Sequence, residues 1–331
     1  MRQILAHLRT LARRLILSCL LAASVTIPAT ASAKPMILAT IAQLGEPMSR
    51  ILGNCATVET LLGPGVDPHL YRLTRSDVAK ALRADGLMAN GLNLEAQMRD
   101  MFDRMSARKP VIYAGELLDP SKIVLTGGVV PDPHIWMDPR LWAEALSASA
   151  TAIAKAFPEC APNVSQNQAT VLAEIAAVDA YIEARVATLP PSARVLATAH
   201  DAFGYFGKRY GMTVLGVQGI STESEAGVAH IRDMAQIILD RRIAAVFVET
   251  STAARAVDAV IEGARALGAT VTKGPALFSD AMGPPGTYEG GYVGMLDHNA
   301  TSVVRALGGD APERGLNGRL NIPRQHKDTS G

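Results

Sequence analysis

Short apolar runs recur along the chain at Met36 to Ile41, Ala56 to Leu61, Gly86 to Ala89 and Pro110 to Tyr113. The rhythm returns at Arg194 to Thr198, Thr213 to Val217, Ala244 to Glu249 and Ala269 to Thr272. Helical patterns fill the gaps, as in Thr74 to Ala84, where Thr74 or Ser76 is placed to cap the start. Strands alternating with helices predict an α/β fold built on mainly parallel sheets. Between the two sets lies a longer stretch, from about Ser165 to Leu189, in which Val171, Leu172, Ile175, Val178 and Ile182 recur at helical spacing. Pro162-Asn163 leads into it and Pro190-Pro191 ends it. The pattern therefore predicts two lobes, each a four-stranded sheet flanked by helices, joined by one long backbone helix.

The boundaries that follow are 34–162 for the first lobe, 163–189 for the linking helix and 190–310 for the second lobe. The lobes are not a strict sequence repeat. From Ala311 to Gly331 the chain is polar and aperiodic, which predicts a mobile tail containing His326.

Residues 1–33 stand apart from this organisation. Arg2, Arg9, Arg13 and Arg14 precede the apolar run Leu15 to Ala23, and Ala31-Ser32-Ala33 closes the segment. That order reads as a signal peptide cleaved before Lys34, so the mature chain is expected in the periplasm. Ile16-Leu17-Ser18 is a poor approach to Cys19 as a lipidation site, and the apolar run is too short to span a bilayer. Removing the four arginines takes the formal charge from +1 to −3 and leaves 298 residues. Neither the sign nor the size of that charge suggests a nucleic-acid binder, whose surface carries a strong basic excess. Cys55 and Cys160 remain, and an exported compartment permits a disulfide; the spacing leaves a bridge and two separate thiols both open.

The candidate chemistry lies in the histidines. His69 follows the second strand in Gly-Pro-Gly-Val-Asp-Pro-His, and His134 ends a second Asp-Pro-His beyond the fourth strand. His200 follows the strand Val195 to Thr198, and Asp280 follows the last strand of the second lobe. Open α/β sheets bind ligands at the carboxyl ends of their strands, so all four residues share an expected edge. Three imidazoles and a carboxylate make a four-coordinate site suited to zinc, tolerant of manganese or iron. Asp67 and Asp132 fit loop-capping or supporting roles. His230 and His298 lie in helical or pre-helical sequence and read as structural. Trp136 and Phe203 read as walls of the site or as core.

Five stretches together resemble the periplasmic receptors of metal ABC importers, the TroA-like zinc and manganese solute-binding family. They are GPGVDPHLYRLTRSDVAKALRADGLMANGLNLE at 63–95, DPHIWMDP at 132–139, ATAHDAFGYFGKRYG at 197–211, GISTESEAG at 219–227 and LFSDAMGPPGTYEGGYVGMLDHN at 277–299. The resemblance implies that His69 and His134 meet His200 and Asp280 around one ion, Asp201 not being a ligand. It implies a stiff connecting helix that limits hinge motion, and delivery of the ion to a permease driven by an ATPase. The receptor is expected to be a monomer that does not span the membrane. A histidine at 200, where manganese-dedicated relatives carry glutamate, leans towards zinc. The segment Leu118 to Pro131 lacks the histidine-rich loop of zinc-dedicated relatives and points to the branch that takes zinc and manganese.

Two other classes compete with the receptor. An exported zinc-dependent hydrolase also uses three histidines and a carboxylate, with Glu223, Glu225 or Glu289 as bases, although four protein ligands leave no open position for water. An adhesin would need adhesive repeats or an exposed aromatic array, and the sequence has neither.

Overall fold

In the computed structural model, which describes residues 33–321, the anticipated strands assemble into two parallel four-stranded sheets. The first contains β1 (Met36–Ala39), β2 (Thr57–Thr60), β3 (Gly86–Ala89) and β4 (Val111–Tyr113), in the order β2-β1-β3-β4. Met36 pairs with Thr57 and Ile37 with Gly86, so the order reverses direction between β1 and β3. Helices α1 (Ala42–Leu52), α2 (Arg75–Arg83) and α3 (Ala96–Ser106) connect these strands. Thr74 caps α2 through a capping box with Asp77, which satisfies two otherwise orphaned N–H groups.

Two elements of this lobe were not anticipated. A hairpin of β5 (Leu125–Thr126) and β6 (Val130–Pro131) turns through Gly127 and Gly128, both at positive φ, and runs straight into the second Asp-Pro-His. Helix α4 (Pro139–Ala156) follows, with Pro139 in its first turn and Asp138 accepting from Arg140 N and Leu141 N.

The connecting helix, α5, runs Ala161–Val186, slightly earlier than the expected 163–189. Its 26 residues make it about 39 Å long. Val171, Ile175, Val178 and Ile182 are buried as the periodicity required, while Leu172 is only half-buried. Asp179 is the exception on that face. It accepts from Arg140 Nε (2.8 Å) on α4 and from Arg209 Nη2 (2.8 Å) and Tyr210 OH (2.9 Å) of the second lobe.

The second sheet has the order β10-β9-β7-β8, from β7 (Val195–His200), β8 (Thr213–Gln218), β9 (Ala245–Phe247) and β10 (Thr272–Lys273). His200 is therefore the last residue of β7 and pairs with Gln218, rather than following the strand. Helices α6 (Gly204–Tyr210), α7 (Val228–Arg241), α8 (Arg255–Ala266) and α9 (Tyr292–Ala306) complete this lobe. One apolar cluster runs from Ile37 and Leu38 through Leu44, Trp142 and Ile182 to Phe206, Met295 and Leu296, crossing from one lobe into the other. A smaller one, including Ile238, Val246 and Val260, fills the outer side of the second sheet.

Cys55, just after α1, and Cys160, just before α5, form a disulfide with Cα atoms 5.3 Å apart. It closes a loop of 105 residues, which in the chain-entropy account stabilises by on the order of 4–5 kcal/mol.

The expected mobile tail does not begin at Ala311. Residues 311–321 lie against α9 with Ala311 and Leu320 buried, and Leu316 N donates to both oxygens of Asp297 (3.0 and 2.9 Å). Asn321 N donates to Glu289 Oε1 (3.1 Å). The stretch is polar, but buried Asp297 requires donors and takes them from this backbone. Residues 322–331, with His326, lie outside the described residues, as does the proposed signal up to Ser32. No described helix is long and apolar enough to cross a membrane.

Candidate metal centre

His69, His134, His200 and Asp280 converge, each offering one donor atom within 4.8 Å of the others. All four are buried: His134 and His200 fully, Asp280 and His69 nearly so.

The local sequence explains how each is delivered. In the first Asp-Pro-His, Asp67 Oδ1 accepts the His69 N–H (2.8 Å) across a proline that has no N–H of its own. In the second, Asp132 Oδ1 accepts both the His134 N–H (2.9 Å) and its ring Nδ1–H (2.7 Å). Asn90, just past β3 at the point where the strand order reverses, donates to Pro133 O (2.9 Å). Tyr205 of α6 donates to Asp132 O (3.0 Å). Gly204 permits this approach, since a Cβ there would lie 2.9 Å from Asp132 Oδ2.

In the second lobe, Glu249 follows β9 at the corresponding reversal. Its Oε1 accepts the His200 N–H (2.9 Å) and its Oε2 pairs with His200 Nδ1 (2.5 Å). Ser279, beside Asp280, donates to Glu249 Oε2 (2.6 Å), and its carbonyl accepts from Trp136 Nε1 (3.0 Å) and Gln43 Nε2 (3.1 Å). Carboxylates on Nδ1 of His134 and His200 fix those tautomers and turn both Nε2 lone pairs inward.

The spacings meet a quantitative test. Tetrahedral zinc with bonds of about 2.0–2.1 Å separates its donor atoms by about 3.3 Å. Here His69 Nε2 and His134 Nε2 are 3.3 Å apart, and His200 Nε2 and His134 Nε2 3.4 Å. Asp280 Oδ1 is 3.3 Å from His134 Nε2, and Oδ2 is 3.2 Å from His200 Nε2 and 4.0 Å from His69 Nε2. Neither Asp280 oxygen accepts a hydrogen bond among the described residues. A buried carboxylate without donors is costly, and a cation at the centre removes that cost.

Electrostatics point the same way. Burial pushes His69 down to about 4, so its ring is neutral and free to ligate at neutral pH. Burial also opposes charge on His134, but Asp132 and Asp280 outweigh it and raise the ring to about 9. His200 is likewise disfavoured by burial yet held well above its ordinary range by Glu249 and Asp280. For Asp280 the burial that would raise it is outweighed by His200 and His134, and it lies well below the usual carboxylate range. His69 and Asp280 already stand deprotonated, and an incoming cation would displace one proton each from His134 and His200.

The other expected residues fall outside the cluster or behind it. Trp136 walls the site, its ring edge-on to His134 with centroids 5.3 Å apart, and Phe203 is core. Exposed His230 contacts Gly216 O (3.4 Å), and His298, inside α9, contacts Ala276 O (2.9 Å). Asp201 is not part of the group. Of the acids offered as bases, Glu223 pairs with Gln97 (3.1 Å) and Glu289 holds Asn321. Sequence reading missed Glu249, Asn90, Ser279 and Tyr205. Glu249 alone left a signal: an acid closing an otherwise apolar strand.

The chain as a whole has relatives among known proteins. Residues 37–306 match the family described as zinc-uptake complex component A, periplasmic. The manganese-binding lipoprotein MntA of Bacillus subtilis is 38% identical over 272 residues, which is 82% of this chain and 89% of that protein. The zinc-binding protein TroA of Treponema pallidum is 37% identical over 279 residues, 84% of this chain and 91% of that protein. The solved structure of the periplasmic zinc-binding protein TroA from Treponema pallidum superposes with a TM-score of 0.81 at 37% identity, covering 83% of this chain and 99% of that one. The chain belongs to the zinc-uptake component A family of periplasmic metal-binding proteins.

Proposed function

We propose that the protein is a periplasmic receptor that captures one divalent transition-metal ion, zinc or manganese, and hands it to the permease of an ABC importer whose ATPase drives uptake. His69, His134, His200 and Asp280 are its ligands. The observation that carries this reading is the set of four buried donors, two from each lobe, whose ligand atoms all lie within 4.8 Å of one another. Family membership supports the importer role, and the zinc and manganese named for the relatives match a three-imidazole, one-carboxylate donor set. Nitrogen-rich ligation binds zinc more tightly than manganese or iron, following the Irving–Williams order. Four protein ligands fill a tetrahedral shell, which favours capture over hydrolysis at an open zinc position. The leader at 1–33 carries the chain out of the cytoplasm, and the receptor acts as a monomer.

Calorimetry on metal-stripped protein tests the ligand set. His69→Ala should weaken zinc binding by more than about 100-fold, because even supporting residues around a metal are worth about 10–100-fold. Unchanged affinity would remove His69 from the site. Elemental analysis of protein taken from its own periplasm identifies the ion carried.

A further inference from the structure

The two Asp-Pro-His loops are alike in sequence and held differently. Asp132 directs Oδ1 to both the backbone and the ring of His134. Asp67 Oδ1 holds only the His69 backbone, and its Oδ2 instead accepts a hydrogen bond of 2.5 Å from Thr222 Oγ1, which belongs to the second lobe. No carboxylate steadies the Nδ1 of His69 among the described residues, so the placement of that ring depends on its loop. The loop itself runs close against the second lobe: Gly65 has φ +72°, and a Cβ there would lie 3.3 Å from Thr250 O. Thr222 is almost buried at 9% exposure, which shields the bond from water.

We propose that Thr222 is a positioning residue for ion capture: through Asp67 its hydroxyl clasps the His69 loop to the second lobe, and loss of that clasp speeds release of the ion. The proposal rests on the receptor reading above. An ion leaves a four-ligand site one bond at a time, and the first bond to open is to the least restrained ligand. His69 fits that description. It is the most exposed of the four at 4%, its Nε2 is the farthest from Asp280, and it borders a cavity of about 180 Å³ between Leu92, Val130 and Ile220. The clasp joins this ligand to the opposite lobe, so separation of the lobes at the cleft and release of His69 become one event. Asp67 and Thr222 do not enter the coordination shell, and the clasp acts on how long the ion stays.

Stopped-flow transfer of zinc from the loaded protein to a chromogenic chelator reads this directly. Thr222→Val, which keeps the shape and removes the hydroxyl, should release zinc about 10–100-fold faster with its association rate unchanged. Thr222→Ser, which keeps the hydroxyl, should release at the wild-type rate. Thr222→Ala serves as a second removal of the hydroxyl, and thermal unfolding of each metal-free variant separates a loosened clasp from a misfolded chain. Release at the wild-type rate from folded Thr222→Val and Thr222→Ala overturns the clasp, and so does a Thr222→Ser variant as fast as the valine one. Wild-type protein that holds neither zinc nor manganese overturns the receptor reading and the clasp with it; wild-type binding with unchanged variants removes the clasp alone.

Discussion

Glu249 shows how much one carboxylate decides at this site. It grips the backbone and Nδ1 of His200 and the hydroxyl of Ser279, so a single side chain positions one ligand and the neighbour of another. Glu249→Gln should therefore weaken zinc binding by about 10–100-fold while the four candidate ligands remain in place. Titration calorimetry measures it, and full affinity in the variant would show that β7 alone orients the imidazole. The four candidate ligands were legible in the sequence, because histidines behind Asp-Pro and an aspartate past a final strand occupy an expected edge. Their supports were not. Asn90, Tyr205, Ser279 and Thr222 are ordinary polar residues whose roles come from partners between 30 and 236 positions away.

At the scale of elements, α5 is more than a spacer. Asp179 draws together Arg140 of α4 and Arg209 and Tyr210 of α6, fastening helices of both lobes to the strut. Burial would raise the Asp179 carboxyl, but hydrogen bonds from Arg209 and Arg140 outweigh it and hold the group below its ordinary value. A depressed folded value means that its stabilisation is present above the unfolded aspartate value of about 3.9 and is lost as pH falls through the folded one. Asp179→Asn should cost roughly 1.5–3 kcal/mol at neutral pH, the worth of hydrogen bonds to a charged group. The gap between variant and wild type should close in acid. Urea unfolding at pH 7 and pH 3 checks both parts, and a constant gap would contradict the ion pairing. Periodicity revealed α5 and the strands, whereas the hairpin β5–β6 has too few residues for a period, and the docked segment 311–321 has none.

Across the whole molecule, the apolar core passes continuously from the first lobe into the second, and the bridge between Cys55 and Cys160 ties α1 to the start of α5. Shared packing of this kind resists wide opening, because parting the lobes would expose core residues such as Phe206 and Met295 to water. The described chain should melt in one transition rather than lobe by lobe. Zinc at a hundred times its Kd should add about 2.7 kcal/mol. That corresponds to a midpoint rise of about 4 °C in a chain of this size, at about 2.1 cal/mol/K of unfolding entropy per residue. Calorimetric scans with and without zinc test this, and two separated transitions would show that the lobes unfold independently.

The sequence by itself determined the alternation of strands and helices, the strut, and the four residues that meet, because these depend on local periodicity and on the chemistry of single side chains. Tertiary structure alone decided that Cys55 meets Cys160, that Glu249 holds His200, and that Asp297 draws residues 311–321 onto α9. It also gave the two Asp-Pro-His copies different partners. The first three interactions join groups between 19 and 105 positions apart, and only the packed fold brings them within hydrogen-bonding or covalent reach.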